Sequence, residues 1–337
     1  MMERKNTILY LVVPCYNEEE VLDKTAGVLK EKMERLQKAG RISPKSKVMF
    51  VNDGSKDRTW PMICQWTKRD PLFAGLCFSR NYGHQSAILA GMMAARTRAD
   101  AVVTIDADLQ QDIEALDSFL DCYEKGCDIV YGVRNDRNTD VFFKKATAGI
   151  FYKLMHALGC KTITNHADYR LMSKKALNAL AEFKETNLFL RGLIPTMGFQ
   201  SDIVYFNVKE REAGQSKYTF KKMMTLAVDG ITSMSTRPLQ LIMLLGFLTC
   251  LLSAGIFISC IVDWVHGRVV PGWTTTVAST CLIGGMMLLS QGIIGEYIGK
   301  IYMESKGRPR YIIDAMILRE EEQNGAERGE DTDDGKD

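Results

Sequence analysis

From the N-terminus onward, short apolar runs alternate with longer stretches whose apolar residues recur at three- and four-residue spacing. Residues 8–13, 48–51, 73–78 and 101–105 are continuous apolar runs of buried-strand length. A helical pattern follows the first run to about Lys38, and residues 85–95 read as another helix. DIVYGV, just before Arg134, is a further strand-like run. Strands alternating with helices predict an α/β fold, a parallel sheet with helices on both faces.

Past residue 235 the pattern changes. Residues 239–262 (LQLIMLLGFLTCLLSAGIFISCIV) carry no formal charge over 24 positions, and 273–294 are uncharged over another 22. Each run exceeds the roughly 20 residues a helix needs to cross a bilayer. Arg237 precedes the first run, and Lys300, Lys306, Arg308 and Arg310 follow the second. Positive flanks stay inside, so the expectation is a two-helix hairpin (about 239–262 and 273–296) in the cell membrane, with both termini cytoplasmic. Two other segments are amphipathic. Residues 141–158 gather Phe142, Phe143, Ile150, Phe151, Leu154, Met155 and Leu158, and residues 218–234 gather Phe220, Met223, Met224, Ala227 and Ile231. Such helices fit a core or the bilayer interface equally well. The expected organisation is a cytoplasmic domain over 1–235, the hairpin over 236–300 and a cytoplasmic tail over 301–337.

Charge sharpens that division. From Glu320 onward there are nine acids and two bases, a net of −7, which leaves +9 on residues 1–319 of a chain whose total is +2. The tail from about 320 has no apolar run and reads as disordered. A basic body suits an anionic membrane surface, a phosphate-bearing substrate or nucleic acid. The nine cysteines include no C-x-x-C pair, so they indicate reduced thiols rather than a disulfide framework or a zinc site. The first apolar run is too short for a secretory signal and leads straight into Asn17-Glu-Glu-Glu.

The polar motifs sit where the strands end: PCYNEEE, NDGSKDRT, SRNYGHQ and DADLQQD. In open α/β sheets, ligands bind outside the carboxyl ends of the strands. Asp53, in NDGSKDRT, is either a tight-turn residue or a carboxylate able to accept from a nucleobase or ribose. Asp106 and Asp108 form a D-x-D. If the fourth strand reaches Asp106, the two share a face and repel unless a cation lies between them. An acidic surface turn is the other possibility. The glycine patterns of dinucleotide and P-loop sites are absent, so a nucleotide here needs another anchor. A divalent ion on Asp106 and Asp108 would supply one. His84 stands at a helix start, which favours capping or packing, and no histidine has a partner at metal-ligand spacing. Arg134 is a candidate for the same cleft.

In order along the chain, PCYNEEE, VNDGSKDRT, SRNYGHQSAILAGM, IDADLQ, HADYRLM, FLRG and REAGQSKY resemble the family 2 glycosyltransferases of the polyprenyl-phosphate branch, the dolichyl-phosphate mannose synthases and undecaprenyl-phosphate sugar transferases. The resemblance runs over roughly residues 7–312. It implies a GT-A fold and inverting transfer of a single sugar from a UDP- or GDP-sugar to polyprenyl phosphate on the cytoplasmic leaflet. It further implies Mg²⁺ or Mn²⁺, a homo-oligomer (Gly295-x-x-x-Gly299 is a packing hint) and no nucleic-acid partner. On the matching positions, Pro14, Tyr16, Glu18, Asp53, Asp106, Ala107, Asp108, Gln110 and Arg191 would bind the nucleotide sugar. Asp106 and Asp108 would hold the metal, Asp168 and Arg170 would serve catalysis, and Arg211, Ser216 and Lys217 would meet the acceptor phosphate. The family's Phe before that Arg is Tyr169 here, and its Glu before SKY is Gln215. Two alternatives are a processive polysaccharide synthase, whose Q-x-x-R-W motif is missing, and an inactive membrane scaffold or flippase partner.

Overall fold

The structure is a computed structural model describing residues 6–135, 166–186, 189–207, 232, 235–266 and 272–319. The first amphipathic segment, the second apart from residue 232, and the acidic tail from 320 therefore lie outside the described residues. So do Arg211, Ser216, Lys217 and the SKY motif.

The four apolar runs form β1 (Leu9–Cys15), β2 (Lys47–Asn52), β3 (Phe73–Phe78) and β4 (Ala101–Thr104). They pair in parallel in the order β4-β1-β2-β3. Between them run α1 (Leu22–Lys38), α2 (Thr59–Arg69) and α3 (His84–Ala95), followed by α4 (Ala115–Glu124) and β5 (Ile129–Arg134). One apolar layer joins the sheet to α1, α2 and α4. The opposite layer joins it to α3, α5 (Lys174–Glu182) and α6 (Leu190–Thr196). Helices thus cover both faces, as the alternating pattern predicts.

The expected all-parallel sheet is corrected by three antiparallel pairings. β6 (His166–Ser173) inserts between β4 and β5 and runs against both, while β7 (Ser201–Phe206) pairs parallel to β5 at the edge. At the opposite edge β8 (Ile313–Ile317) runs antiparallel to β3. The complete order is β7-β5-β6-β4-β1-β2-β3-β8. β6 escapes a pattern-based reading because its positions facing the α3 layer include Asp168 and Arg170, both buried, where an amphipathic strand would place apolar residues. β8 lies in the segment expected to be tail.

Two long helices, α7 (Arg237–Val265) and α8 (Trp273–Ser305), precede β8. Each contains a window long and apolar enough to cross a membrane, with mean hydropathy 2.2 over Arg237–Ile256 and 1.2 over Leu282–Ser305, and no part of either window is buried. Phe247, Leu252, Leu282, Leu288 and Leu289 all stand exposed. The far end of α8 is tied to the α/β body. Both oxygens of Glu304 accept the Thr186 N–H, at 2.7 and 2.9 Å, and the Arg310 guanidinium donates to the Phe183 carbonyl.

Candidate functional site

The carboxyl ends of β1, β2 and β4, with the start of β6, converge on one rim. There PCYNEEE and NDGSKDRT knit into each other. Asn17 N–H donates to Ser55 Oγ, Lys56 N–H to Asn17 Oδ1, Glu18 N–H to Thr59 Oγ1 and Arg58 N–H to Glu19 Oε2, at 2.9 to 3.0 Å. Pro14 is buried within β1, Tyr16 stands exposed above it, and the Glu18 carbonyl accepts from Val21 and Leu22 to start α1.

Asp53 is only 3 % exposed. Its Oδ1 accepts the Tyr82 N–H at 2.7 Å and its Oδ2 the Gly83 N–H at 3.0 Å. Burial raises its pKa, opposed by those two bonds and by His84. Both oxygens therefore already serve the loop leading into α3. That loop comes close because Gly54 has no side chain: an added Cβ would stand 2.3 Å from the Arg80 carbonyl carbon, at a φ of +63°.

β4 ends at Thr104, so the D-x-D lies in the turn beyond the strand, and the shared-face geometry of a strand does not apply to it. Leu109, just past it, takes a left-handed φ of 53°, a conformation that costs a branched side chain about 1–2 kcal/mol. Gln111 fixes Asp106 twice, accepting its N–H at 3.0 Å and donating to Oδ2 at 2.6 Å. Asp108 Oδ1 accepts the Gln110 N–H at 3.2 Å, and the buried Ala107 gives its carbonyl to Thr25 Oγ1 at 2.6 Å. Burial lifts the Asp106 carboxyl above its ordinary value; His84 pulls it down, and the charges of Asp168 and Asp108 add to the rise.

Across the cleft, Asp168 accepts from Arg170 Nη2 at 2.8 Å and from Arg191 through Nε at 3.1 Å and Nη2 at 2.8 Å. Burial would raise this carboxyl, but the His84 hydrogen bond and the Arg191 and Arg170 charges hold it well below the carboxylate range. Arg170 has no exposed surface. Arg170, expected to serve catalysis, is thus withdrawn beneath Asp168, whereas Arg191, expected to bind the nucleotide sugar, keeps 31 % of its side chain accessible. Tyr169, which replaces the expected Phe, is buried between Phe119 and Phe206 and donates its hydroxyl to the Asp112 carbonyl at 3.1 Å. Arg134 ends β5 in an exposed position, and its charge acts on Asp106.

His84 is the residue that sequence reasoning left out. Its Nε2 lies 3.5 Å from Asp106 Oδ1 and 3.5 Å from Asp168 Oδ2. Desolvation lowers the imidazole pKa, and the hydrogen bond to Asp168 with the charge of Asp106 more than offsets it, so His84 titrates above its ordinary value. Its place within the third strand-end motif, SRNYGHQ, was the available signal.

Among the described residues, no group of three or more His, Cys, Asp or Glu side chains forms a cage for a metal. Asp106 nonetheless feels the charges of two further carboxylates, Asp108 and Asp168. Hard divalent cations take such a partial set when phosphate oxygens complete the coordination.

Residues 10–181 match the family model described as Glycosyl transferase family 2. The chain is a family 2 glycosyltransferase. The relatives of this glycosyltransferase extend past that segment. An uncharacterized glycosyltransferase of Bacillus subtilis (strain 168), YkoT, is 47% identical over 320 residues, covering 95% of each chain. The bactoprenol glucosyl transferase of Shigella phage SfX is 38% identical over 306 residues, 90% of this chain and 97% of that one. A prophage bactoprenol glucosyl transferase homolog of Escherichia coli (strain K12) is 37% identical over 305 residues, with coverage of 90% and 97%. The first of these matches leaves too little of the chain unaligned to omit either long helix. The fold is accordingly of the GT-A type, with a mixed sheet.

Proposed function

We propose that this glycosyltransferase moves one sugar from a nucleotide-diphosphate sugar to polyprenyl phosphate at the cytoplasmic face of the cell membrane, with inversion at the anomeric carbon. The supporting observation is that proteins named bactoprenol glucosyl transferase align with 90% of the chain and 97% of their own length. α7 and α8, apolar and unburied, would span the bilayer and hold the strand-end rim near the lipid headgroups.

The acceptor is a phosphate monoester whose second pKa is about 6, so near neutral pH its oxygen is already an anionic nucleophile. That oxygen forms a bond to the anomeric carbon as the bond from that carbon to the diphosphate breaks, and the nucleoside diphosphate departs with the electron pair. What the residues of this chain must then supply is electrostatic, because a dianion has to be brought up to a diphosphate. Arg191, partly exposed beside Asp168, would offset that charge, and Arg211, Ser216 and Lys217 are our candidates for the lipid phosphate. Pro14, Tyr16, Glu18, Asp53 and Gln110 would shape the nucleotide pocket, Asp53 by fixing the loop at Tyr82–Gly83. Mg²⁺ or Mn²⁺ on Asp106 and Asp108, when bound, would neutralise charge on the leaving diphosphate. Arg170 holds Asp168 from below, so Asp168 orients Arg191 and the acceptor rather than serving as a strong base.

The test is a panel of UDP- and GDP-sugars offered with undecaprenyl phosphate to membranes carrying the protein, followed by lipid extraction. One sugar per lipid with at least one donor is expected. Asp106→Asn and Asp108→Asn should each lower transfer by about 10²-fold or more while remaining folded, and EDTA should abolish it. Full activity in EDTA removes the metal assignment, and no sugar in the lipid fraction with any donor removes the acceptor assignment.

A further inference from the structure

The residues that open α3 are fixed from several directions. Asp53, at the end of β2, holds the Tyr82 and Gly83 amides. Gly83 itself takes a φ of +93°, a left-handed geometry that a side chain would strain. Ser86 Oγ donates to the Tyr82 carbonyl at 3.0 Å, and Gln85 Oε1 accepts the Leu190 N–H at 3.0 Å, which ties this turn to the start of α6 and hence to Arg191. A backbone held this firmly carries a side chain that is 47 % exposed to the cleft. That side chain is His84, and its Nε2 is equidistant from one carboxylate on the donor side of the rim and one on the acceptor side.

Asp106 and Asp168 come from the ends of different strands and carry charge of the same sign. Each is anchored separately, Asp106 by Gln111 and Asp168 by Arg170 and Arg191. We propose that His84 is a positioning residue whose Nε2 bridges Asp106 and Asp168 and sets the spacing between the donor-diphosphate and acceptor halves of the cleft. This rests on the glycosyl-transfer reading. The bridge is made by one ring nitrogen at one reach from a fixed backbone, so it should depend on where that nitrogen lies. A glutamine amide nitrogen reaches about as far as imidazole Nε2, whereas an asparagine amide nitrogen reaches only the Nδ1 position.

The experiment compares His84→Ala, His84→Asn and His84→Gln in the full-length membrane protein. kcat and donor KM are measured for transfer to undecaprenyl phosphate and for donor hydrolysis without lipid, and calorimetry measures Mn²⁺·UDP binding. The expected result is a kcat about tenfold or more below wild type for Ala and Asn, as misplaced reactants produce, with recovery to within about threefold for Gln. Donor KM and Mn²⁺·UDP affinity should stay within about threefold throughout, separating this role from ground-state binding. A wild-type kcat in His84→Ala overturns the proposal. So does a His84→Gln variant no faster than His84→Asn, or a loss confined to donor KM. If the wild type hydrolyses donor but passes no sugar to the lipid, the acceptor assignment fails, and the ranking on hydrolysis still decides for or against the bridge.

Discussion

Asp168→Asn separates two roles that coincide in this carboxylate. Its neighbour Arg170 is fully buried, with Nη2 2.8 Å from Asp168 Oδ1 and its other contact, the Leu190 carbonyl, at a long 3.4 Å. Asparagine keeps the size and one acceptor oxygen but removes the charge opposite that guanidinium. Breaking a buried pair from one side costs roughly 3–5 kcal/mol. Arg191 loses the same partner, but it is partly exposed and can turn to water, which adds no more than about 1 kcal/mol. For a domain of this size each kcal/mol shifts Tm by about 2–4 °C, so the apparent Tm should fall by on the order of 10 °C. The assay is thermal unfolding of the detergent-purified protein by tryptophan fluorescence at one fixed scan rate, since large proteins often unfold irreversibly. Adding Arg170→Met removes the orphaned charge at similar volume, so the double variant should regain at least about half of the lost Tm. Transfer should remain low in both, because Arg191 still lacks the Asp168 charge opposite it. The reasoning is refuted if Asp168→Asn melts within about 2 °C of wild type, or if the double variant melts below the single one.

Two further predictions probe the frame around the site. Gly40 and Gly54 both hold left-handed φ, +68° and +63°, but a Cβ at Gly40 meets open space while one at Gly54 meets the Arg80–Asn81 backbone. Gly40→Ala should cost about 1–2 kcal/mol, and Gly54→Ala a further 1–3 kcal/mol or so, with slowed transfer because the loop before His84 must move; equal losses in chemical denaturation would contradict the packing. Glu114 bonds Lys32 at 2.7 Å and Arg35 at 2.5 Å, and those two cations depress its pKa. A depressed carboxyl stabilises above its unfolded pKa, and that contribution is lost as pH falls through the folded value. Glu114→Gln should therefore melt slightly lower at pH 7, by about 1 kcal/mol or less for so exposed a carboxylate, with the gap to wild type closing as the pH is taken down through the carboxyl range.

The elements that sequence made legible are those whose physics is local. β1 to β4 are unbroken apolar runs, α1 and α3 lie near their expected positions, and the motifs at Asp53 and Asp106 meet at one rim because successive parallel strands end on the same side. The parts that were not legible depend on partners distant in sequence. β6 buries Asp168 and Arg170 side by side, and only their mutual pairing, with Arg191, makes that tolerable. Nothing in HADYRLM shows that the Arg170 side chain points inward, beneath Asp168. His84 looked like a cap because the two carboxylates it bridges lie 22 and 84 positions further along the chain. β8 is five residues with no strong pattern, recognisable only by the edge it completes.

That last strand sets an order of events in biosynthesis. β3 ends at Phe78 and its partner begins at Ile313, beyond both long helices. While the ribosome makes everything between, β3 offers an open edge of unpaired amides on a wholly apolar strand, the kind of edge most prone to mispairing. Sheet completion therefore waits until residues 313–317 have been made, and the closed edge certifies that α7 and α8 already exist. A chain cut after residue 235 to obtain a soluble enzyme would lose that closure together with the Glu304 and Arg310 ties to the 183–186 loop. Restoring the strand formed by residues 313–317 is the first requirement for such a truncated form.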